Sequence, residues 1–275
     1  MTNHKTVLIT GASSGIGQAT AGVLAQRGYQ VFGTARDPEH SASVPAGVEF
    51  LPLDVTLDAS VAACVEAVLE RTGRIDVLVN NAGYALVGSV EETTVKEAQA
   101  IFDTNFFGAV RMTRAVLPAM RRQREGKVIL MGVILGLIGQ PFGAYLSSTK
   151  HALEGFAESL RYEVMPSGIS VSIVEPGFAA TPADRAMRHA HQQLDAYTPA
   201  RDLVIDKFKH DLRTGMPPER VAQVVDRIAR DKHPHLRYPV GTQASFVPRM
   251  KQLIPERLFA SVARSAYGLP SQSAH

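Results

Sequence analysis

The chain has 275 residues, of which 45% are hydrophobic and 20% are charged, and its formal net charge is +3. This composition is typical of a globular protein that buries a sizeable core. The small excess of basic residues does not favour a nucleic-acid partner. The single cysteine, Cys64, excludes a disulfide framework, and its amphipathic helical surroundings predict a small buried side chain.

No segment of the sequence predicts a membrane anchor. The N-terminus has no signal-peptide pattern and enters a predicted strand at residue 5. The longest apolar run, residues 128–139, is shorter than a bilayer-spanning helix and contains three glycines. We therefore expect a cytoplasmic protein without a membrane partner, in agreement with the low cysteine content.

Short apolar runs alternate with helical patterns along the chain. The runs lack polar alternation, which predicts strands that are buried on both faces of a parallel sheet. Strands are predicted at residues 6–9, 30–35, 48–53, 75–79, 128–131, 170–174 and 238–240. Helices are predicted from the first glycine turn to about residue 27, and over residues 57–71, 92–122, 144–164, 217–230 and 243–264. The pattern predicts an α/β fold with a single doubly wound Rossmann domain over residues 1–275 and a parallel sheet of about seven strands.

The segment 178–216 differs from the rest of the chain because it is polar and mixed in character. We interpret it as a C-terminal helical flap over a substrate cleft. It contains His189, His191 and His210, but no carboxylate or cysteine cluster accompanies them at the spacing of metal ligands. Exposed histidines are the simpler interpretation, and no metal site is expected.

A glycine-rich segment lies between the first predicted strand and the first helix. Gly11 permits a tight turn, Gly15 lets the backbone approach a pyrophosphate, and Gly17 allows the helix to pack closely on the strand. The start of the helix adds free N–H groups and the positive end of a dipole. The alternative is a glycine turn without a ligand. The predicted phosphate-site residues are Gly11, Ser13, Ser14, Gly15, Ile16 and Gly17.

Further motifs follow the later strands. They are Asp54-Val55 after the third strand, Asn80-Asn81-Ala82-Gly83 after the fourth, Asn105 in the long helix, and Pro176-Gly177 with Thr181 after the sixth. Together with the glycine spacing, they resemble the short-chain dehydrogenase/reductase superfamily over residues 5–182. The segment 141–156, with its run from Lys150 to Phe156, is further similar to the hydroxysteroid and retinol dehydrogenase branch.

The resemblance implies a role in cofactor binding for most of these motifs. It implies that Asp54 and Val55 hold the adenine, and that the segment from Pro176 through Gly177 to Thr181 contacts the nicotinamide amide. The residues that would line the adenosine side are Asn81, Ala82 and Gly83. Each motif also has a plainer interpretation, because Asn-Asn-Ala-Gly can be a simple turn and Asp54 can be a helix cap.

The choice between the two dinucleotides is made at the end of the second strand. An acidic residue there would bind the ribose 2′-hydroxyl of NAD. This chain has Ala35 followed by Arg36, so a guanidinium is available for the 2′-phosphate of NADP. We therefore expect NADP(H) as the cofactor. The alternative is that Arg36 pairs with Asp37 or Glu39 on the surface.

The catalytic positions differ from those of the family that the chain resembles. Members of that family use a serine, a tyrosine and a lysine. In that family the lysine holds the nicotinamide ribose and lowers the pKa of the tyrosine, which lies four residues earlier on the same helix face. The tyrosine donates a proton to the substrate and the serine stabilises the oxyanion. Here Lys150 is preceded at four residues by Leu146, and the serine position, thirteen residues earlier, is Val133. Asn105 and Lys150 remain.

The nearest tyrosine, Tyr145, lies five residues before Lys150. On an ideal helix it is about 100° away from the expected position. An irregular helix start would bring it into the site. However, no hydroxyl side chain lies twelve or thirteen residues before it, where Val133 and Gly132 are found.

Three functions remain open at this point. The first is an NADP(H)-dependent oxidoreductase that reduces a bulky apolar substrate needing no proton from tyrosine, such as an imine, an iminium or an enone. The second is a steroid- or retinoid-type alcohol dehydrogenase that is catalytically disabled or mutated at these positions. The third is a non-enzymatic NADP-binding regulator. The resemblance also implies a homodimer or homotetramer that associates through the helices at 92–122 and 144–165.

Overall fold

A computed structural model describes residues 4–39 and 44–269, and these residues form nine strands and ten α-helices. The strands are β1 (Thr6–Ile9), β2 (Gln30–Ala35), β3 (Val48–Pro52), β4 (Val77–Asn80), β5 (Leu86–Val87), β6 (Gly126–Met131), β7 (Ile169–Pro176), β8 (Arg188–His189) and β9 (Arg237–Val240). The helices are α1 (Gly15–Gln26), α2 (Asp58–Thr72), α3 (Val95–Phe102), α4 (Gly108–Gln123), α5 (Ala144–Val164), α6 (Ala183–Ala186), α7 (Thr198–Arg213), α8 (Pro218–Arg230), α9 (Thr242–Leu253) and α10 (Glu256–Ala266).

Seven strands form one parallel sheet in the order β3-β2-β1-β4-β6-β7-β9. The doubly wound α/β fold and the seven predicted strands are confirmed. The strand order reverses between β1 and β4, so the crevice beyond their carboxyl ends is the expected place for a ligand. The glycine turn follows β1, and Asn81 follows β4 at the same edge of the sheet.

The two faces of the sheet are covered by different helices. Leu8 of β1 points into an apolar cluster with α2, α4 and α5, whereas its neighbours Val7 and Ile9 point into a cluster with α1 and α8. This division follows from the alternation of side chains along a strand. Cys64 of α2 is buried in the first cluster, as predicted, and burial raises the pKa of its thiol to about 11.

Three elements differ from the sequence prediction. The long helix begins at Val95, because Thr94 and Glu97 form a capping box there, and it contains a π-helical turn over Asp103–Phe107. The predicted helix over 243–264 is two helices, since Pro255 forces Ile254 into an extended conformation. The two-residue strands β5 and β8 were not predicted.

Several contacts tie the flap to the body of the protein, and two of them are a strand pairing and a buried ion pair. Strand β8 pairs in parallel with β5, and Arg201 of α7 forms a buried ion pair with Glu92. The Glu92 carboxylate also accepts hydrogen bonds from the backbone N–H groups of Ser89 and Leu194, each at 2.9 Å. Burial would raise the pKa of Glu92, but these hydrogen bonds and the charge of Arg201 lower it overall. The flap is therefore anchored by a charge that is fully partnered.

Replacing Arg201 should loosen the flap. The change Arg201→Leu leaves the Glu92 carboxylate buried without its counter-ion, which typically costs about 3–5 kcal/mol. We expect hydrogen exchange to become faster across residues 188–213, while exchange in β1 and β4 stays slow. Arg213→Ala, which removes an exposed arginine of the same helix, is the control. Unchanged protection of the flap in Arg201→Leu would contradict this role of the ion pair.

Candidate active site

The glycine turn between β1 and α1 is shaped for close backbone approach. Gly11 and Gly15 have φ values of +65° and +57°, which favour glycine. A Cβ atom on Gly17 would lie 2.3 Å from the Gly11 carbonyl oxygen and 2.5 Å from Asn81 Nδ2. Gly17 therefore lies beneath the turn, whereas Gly11, Ser13, Ser14, Gly15 and Ile16 line the cleft.

The N-terminus of α1 has the charge distribution of an anion site. Its first turn contains no acidic residue, and the side chain of the N-cap residue Ser14 makes no capping hydrogen bond. The free N–H groups and the dipole therefore face the cleft without a competing negative group. These features fit the phosphates of a dinucleotide.

Thr10 and Asn81 fasten the two strand ends together. Asn81 Nδ2 donates to the carbonyl oxygens of Thr10 (3.0 Å) and Gly11 (2.9 Å), and Thr10 Oγ1 accepts from the backbone N–H groups of Asn81 and Ala82 (2.9 Å each). Thr10 was not predicted as a site residue, although its place as the last residue before the first glycine was a usable signal. This clamp fixes the turn, and Asn81, Ala82 and Gly83 line the cleft.

Asp54, Val55 and Arg36 line the other end of the cleft. Asp54 Oδ1 accepts from the backbone N–H and the hydroxyl of Thr56, so its side chain closes a turn and does not cap α2. These hydrogen bonds, and then the charge of Arg36, hold the pKa of Asp54 below its usual value. Within the described part of the chain, no carboxylate lies at ion-pair distance from the exposed guanidinium of Arg36.

Lys150 lies at the centre of the cleft and donates a hydrogen bond to the Met131 carbonyl oxygen at 2.7 Å. Burial lowers the pKa of its ammonium to about 8, against the opposing charge of Glu154 one turn away. Leu146 and Val133 line the cleft beside it. Tyr145 packs in the same apolar cluster as Leu146 but does not line the cleft. Helix α5 is thus regular from Ala144, and it presents Leu146, not Tyr145, on the face of Lys150.

Asn105 lies in the π-helical turn and is 2% exposed. Its side-chain oxygen accepts from the Tyr84 N–H at 3.0 Å, and its Nδ2 donates to the Tyr84 carbonyl oxygen at 2.9 Å. A π turn inside an α-helix often marks a functional site. Here it places Asn105 where it clamps the peptide that follows Gly83, a pairing that no sequence pattern indicated.

The cleft has a volume of about 920 Å³, and its remaining wall is mostly apolar. Pro176, Gly177 and Thr181 line it near the glycine turn, where Thr181 would contact a Cβ atom on Gly15 at 3.2 Å. The flap contributes apolar side chains. They are Phe178, Ala183, Met187, Phe208 and Leu212. No cluster of three metal-binding side chains occurs within residues 4–39 and 44–269.

Comparisons with known proteins agree with this geometry. Residues 5–192 match the family model described as short chain dehydrogenase. The chain belongs to this family. It is 36% identical to 3-ketodihydrosphingosine reductase of Bacteroides thetaiotaomicron, over 96% of this chain and 98% of that protein. It is also 36% identical to retinol dehydrogenase 8 of Bos taurus, over 91% of this chain and 86% of that protein.

Solved structures agree with the fold. A short-chain dehydrogenase from Streptomyces avermitilis has a TM-score of 0.82 and 32% identity, and covers 98% of this chain and 100% of its own. Two further structures hold a dinucleotide. ElxO, with NADP bound, has a TM-score of 0.73 and 25% identity over 88% of this chain and 99% of its own. A Burkholderia phymatum enzyme in complex with NAD has a TM-score of 0.79 and 22% identity, and covers 94% of this chain and 95% of its own.

The family assignment makes this chain an oxidoreductase with a Rossmann nucleotide-binding fold. Within the described residues, no helix is both long and apolar enough to cross a membrane.

Two buried carboxyl groups lie behind Lys150. Glu154 of α5 and Glu175 of β7 are 7% and 2% exposed, and both lie near Arg237, at 3.1 Å and 3.6 Å from its Nε. Burial and the charge of Glu154 raise the pKa of Glu175 to about 8. One positive charge is thus shared by two carboxyl groups, so Glu175 keeps its proton near neutral pH.

Gly17→Ala should damage the nucleotide site. The new methyl group would overlap the Gly11 carbonyl and the Asn81 amide, so the turn must open. We expect dinucleotide affinity to fall by at least tenfold, as measured by calorimetric titration. Gly22→Ala in the same helix is the matched control, because its Cβ would meet only Pro45 at 3.5 Å. This change should stabilise the protein by about 0.5–1 kcal/mol and leave affinity unchanged. Equal affinities for the two variants would contradict the close-approach argument.

Glu175→Gln should change how stability depends on pH. Between about pH 4.5 and pH 8 the folded state holds a proton on Glu175 that the unfolded state has lost, so stability falls as pH rises through this window. A neutral glutamine removes this loss. Urea unfolding measures the free energy of unfolding at pH 5.5 and at pH 8.5. The decrease between these two pH values should be smaller in the variant than in the wild type, by about 1–2 kcal/mol. Glu158→Gln, at the exposed carboxylate near Arg237, should leave the wild-type decline in place.

Proposed function

We propose that this chain is an NADP(H)-dependent oxidoreductase that reduces a bulky apolar substrate needing no proton from a tyrosine, such as an iminium or an enone. The observation that carries the proposal is the pair of aliphatic side chains, Leu146 and Val133, on the cleft wall beside Lys150. Neither can donate a proton or stabilise an oxyanion, although the cofactor end of the cleft is fully formed.

The preference for NADP(H) rests on the end of β2. Ala35 offers no carboxylate to the ribose, and the guanidinium of Arg36 is exposed at the cleft without an ion-pair partner among the described residues. A guanidinium binds a phosphate by parallel charged hydrogen bonds, whereas it gains little from a 2′-hydroxyl. The related structures with bound NAD and with bound NADP leave both dinucleotides open for the family.

Arg36→Ala tests the cofactor assignment. We expect the wild type to bind NADPH at least tenfold more tightly than NADH, because only NADPH carries the 2′-phosphate. The variant should lose most of this difference by weakening NADPH alone, and dissociation constants for both cofactors would measure it. Arg27→Ala, at the end of α1, is a control outside the cleft. Equal wild-type affinities for the two cofactors would refute the assignment.

The substrate class follows from the chemistry of the wall. Bound NADPH supplies a hydride. An iminium already carries positive charge, so hydride addition to its carbon gives a neutral amine without a proton donor. Hydride addition to the β-carbon of an enone would leave an enolate, which can take its proton at the α-carbon from water. Lys150, held by the Met131 carbonyl, would position the nicotinamide ribose. The apolar flap residues favour a bulky substrate, and the names of two relatives denote a sphingoid ketone and retinol, which are long apolar molecules.

The missing hydroxyl groups also fit an alcohol dehydrogenase whose chemistry has been disabled, or a cofactor-binding regulator without turnover. A panel of matched ketones, imines and enones with NADPH separates these functions. Turnover of imines or enones above ketones supports the proposal. NADPH binding without any oxidation supports the regulator.

Restoring the hydroxyl groups should restore carbonyl chemistry. A general acid contributes about 10²–10⁴ in rate and an oxyanion donor about 10²–10³. The double variant Leu146→Tyr with Val133→Ser should therefore raise ketone reduction by at least 10²-fold, and Leu146→Tyr alone should give part of this gain. Both are measured by NADPH oxidation under saturating cofactor.

Tyr145→Phe is the matched control, since this ring lies outside the cleft lining and its hydroxyl should not matter. If Tyr145→Phe instead abolishes a strong native ketone reductase activity, Tyr145 is the acid and the proposed register is wrong. If the double variant binds NADPH but reduces no ketone, the pocket has diverged from carbonyl chemistry.

A further inference from the structure

Arg188 is a charged residue that lines the cleft from the flap side. The flap also contributes the apolar side chains of Met187, Phe208 and Leu212 to the lining, and Asp103 lines the cleft from the body of the protein. The side chain of Arg188 is exposed, so its guanidinium is solvated and open to a ligand in the cleft.

The position of Arg188 is built by the fold. Its backbone N–H donates to the Ala85 carbonyl oxygen at 2.8 Å, within the pairing of β8 with β5. Its guanidinium carbon lies 4.3 Å from the centre of the Tyr84 ring. Asn105 accepts a hydrogen bond from the backbone N–H of Tyr84 and donates one to its carbonyl oxygen, which holds the backbone from which the ring projects. Arg188 also makes a side-chain hydrogen bond with Tyr84, and because a guanidinium has five N–H donors, others remain for a ligand.

The carboxylates near the Tyr84 ring are already engaged. Asp103 pairs with Arg111 at 2.7 Å. Glu97 accepts from the His191 N–H at 2.8 Å and from Thr94. Within the described part of the chain, no carboxylate lies at ion-pair distance from Arg188. Among the side chains that the structure describes, no carboxylate therefore neutralises the charge of Arg188.

We propose that Arg188, stacked on Tyr84, forms an anion subsite at the substrate end of the cleft, and that the substrate is an apolar molecule with a carboxylate or phosphate remote from the reacting carbon. This inference rests on the proposed use of the cleft as the substrate site. It narrows the substrate class, because the same charge repels amines such as sphingoid bases.

Binding of four ten-carbon probes tests the subsite. Decanoate, decyl phosphate, decan-1-ol and decylamine share the apolar chain and differ only in the end group. Each probe is titrated by calorimetry, below its critical micelle concentration, into the protein. The protein is first saturated with whichever of NADPH and NADH it binds more tightly. We expect at least one of the two anions to bind about tenfold more tightly than the alcohol, and the amine to bind most weakly. The stronger anion identifies the end group, and added salt should reduce the preference.

The variants assign the preference to Arg188. Arg188→Ala should bring the anions to within twofold of the alcohol, while Arg188→Lys should keep part of the preference. Tyr84→Phe retains the stacking ring and should keep most of it. Arg213→Ala, at an exposed flap arginine outside the cleft lining, should behave as wild type. Unchanged dinucleotide affinity in each variant shows that the fold is intact.

Equal binding of anions and alcohol by the wild type, tighter binding of the amine, or an unchanged anion preference in Arg188→Ala would overturn the subsite. These outcomes are separate from the fate of the reductase. If the protein prefers the anions but oxidises no NADPH with any ketone, imine or enone, the anion subsite is supported and the proposed reaction is contradicted. If the protein reduces these substrates but binds all four probes equally, the proposed reaction is supported and the anion subsite is contradicted.

Discussion

The contact on which the rest of the structure depends is the junction of β1 and β4 at the point where the strand order reverses. Asn81 binds the carbonyl groups of Thr10 and Gly11, and Gly17 lies so close beneath that no side chain fits. This junction holds the glycine turn open toward the cleft and sets α1 against the sheet. The strand ends that carry Arg36 and Met131 are positioned relative to it, because β2 is in register with β1 and β6 is in register with β4.

Charge is distributed unevenly along the cleft. At one end, the N-terminus of α1 has no acidic residue in its first turn, and Arg36 adds a positive charge near Asp54, an arrangement that suits phosphate groups at the start of α1. At the centre, Lys150 has a lowered pKa because it is buried, and the shared proton of Glu154 and Glu175 keeps the negative charge behind it small. At the other end the walls are apolar, and Arg188 carries a positive charge with no carboxylate at ion-pair distance among the described residues. The cleft therefore has a polar end at the glycine turn and a mostly apolar end at the flap.

Leu146 and Val133 lie in one apolar part of the cleft lining. Both side chains belong to a continuous apolar cluster that includes Ile134, Leu135 and Ala244. A hydroxyl group in either place would need a hydrogen-bond partner that the cluster itself does not provide, so only a substrate or a cofactor ribose would satisfy it.

The sequence by itself determined the parallel sheet, the bounds of α5 and the glycine turn. These follow from short-range rules: strands buried on both faces are unbroken apolar runs, and a helix repeats every 3.6 residues. The same periodicity predicted that Leu146, and not Tyr145, shares a face with Lys150. Only the tertiary structure decided the pairing of β5 with β8, the stacking of Arg188 on Tyr84 and the clamp of Asn105 on the Tyr84 peptide. Two-residue strands carry no periodic signal, and these contacts join segments that lie far apart in the chain. Their partners are selected by how the flap packs on the body, which no local pattern records.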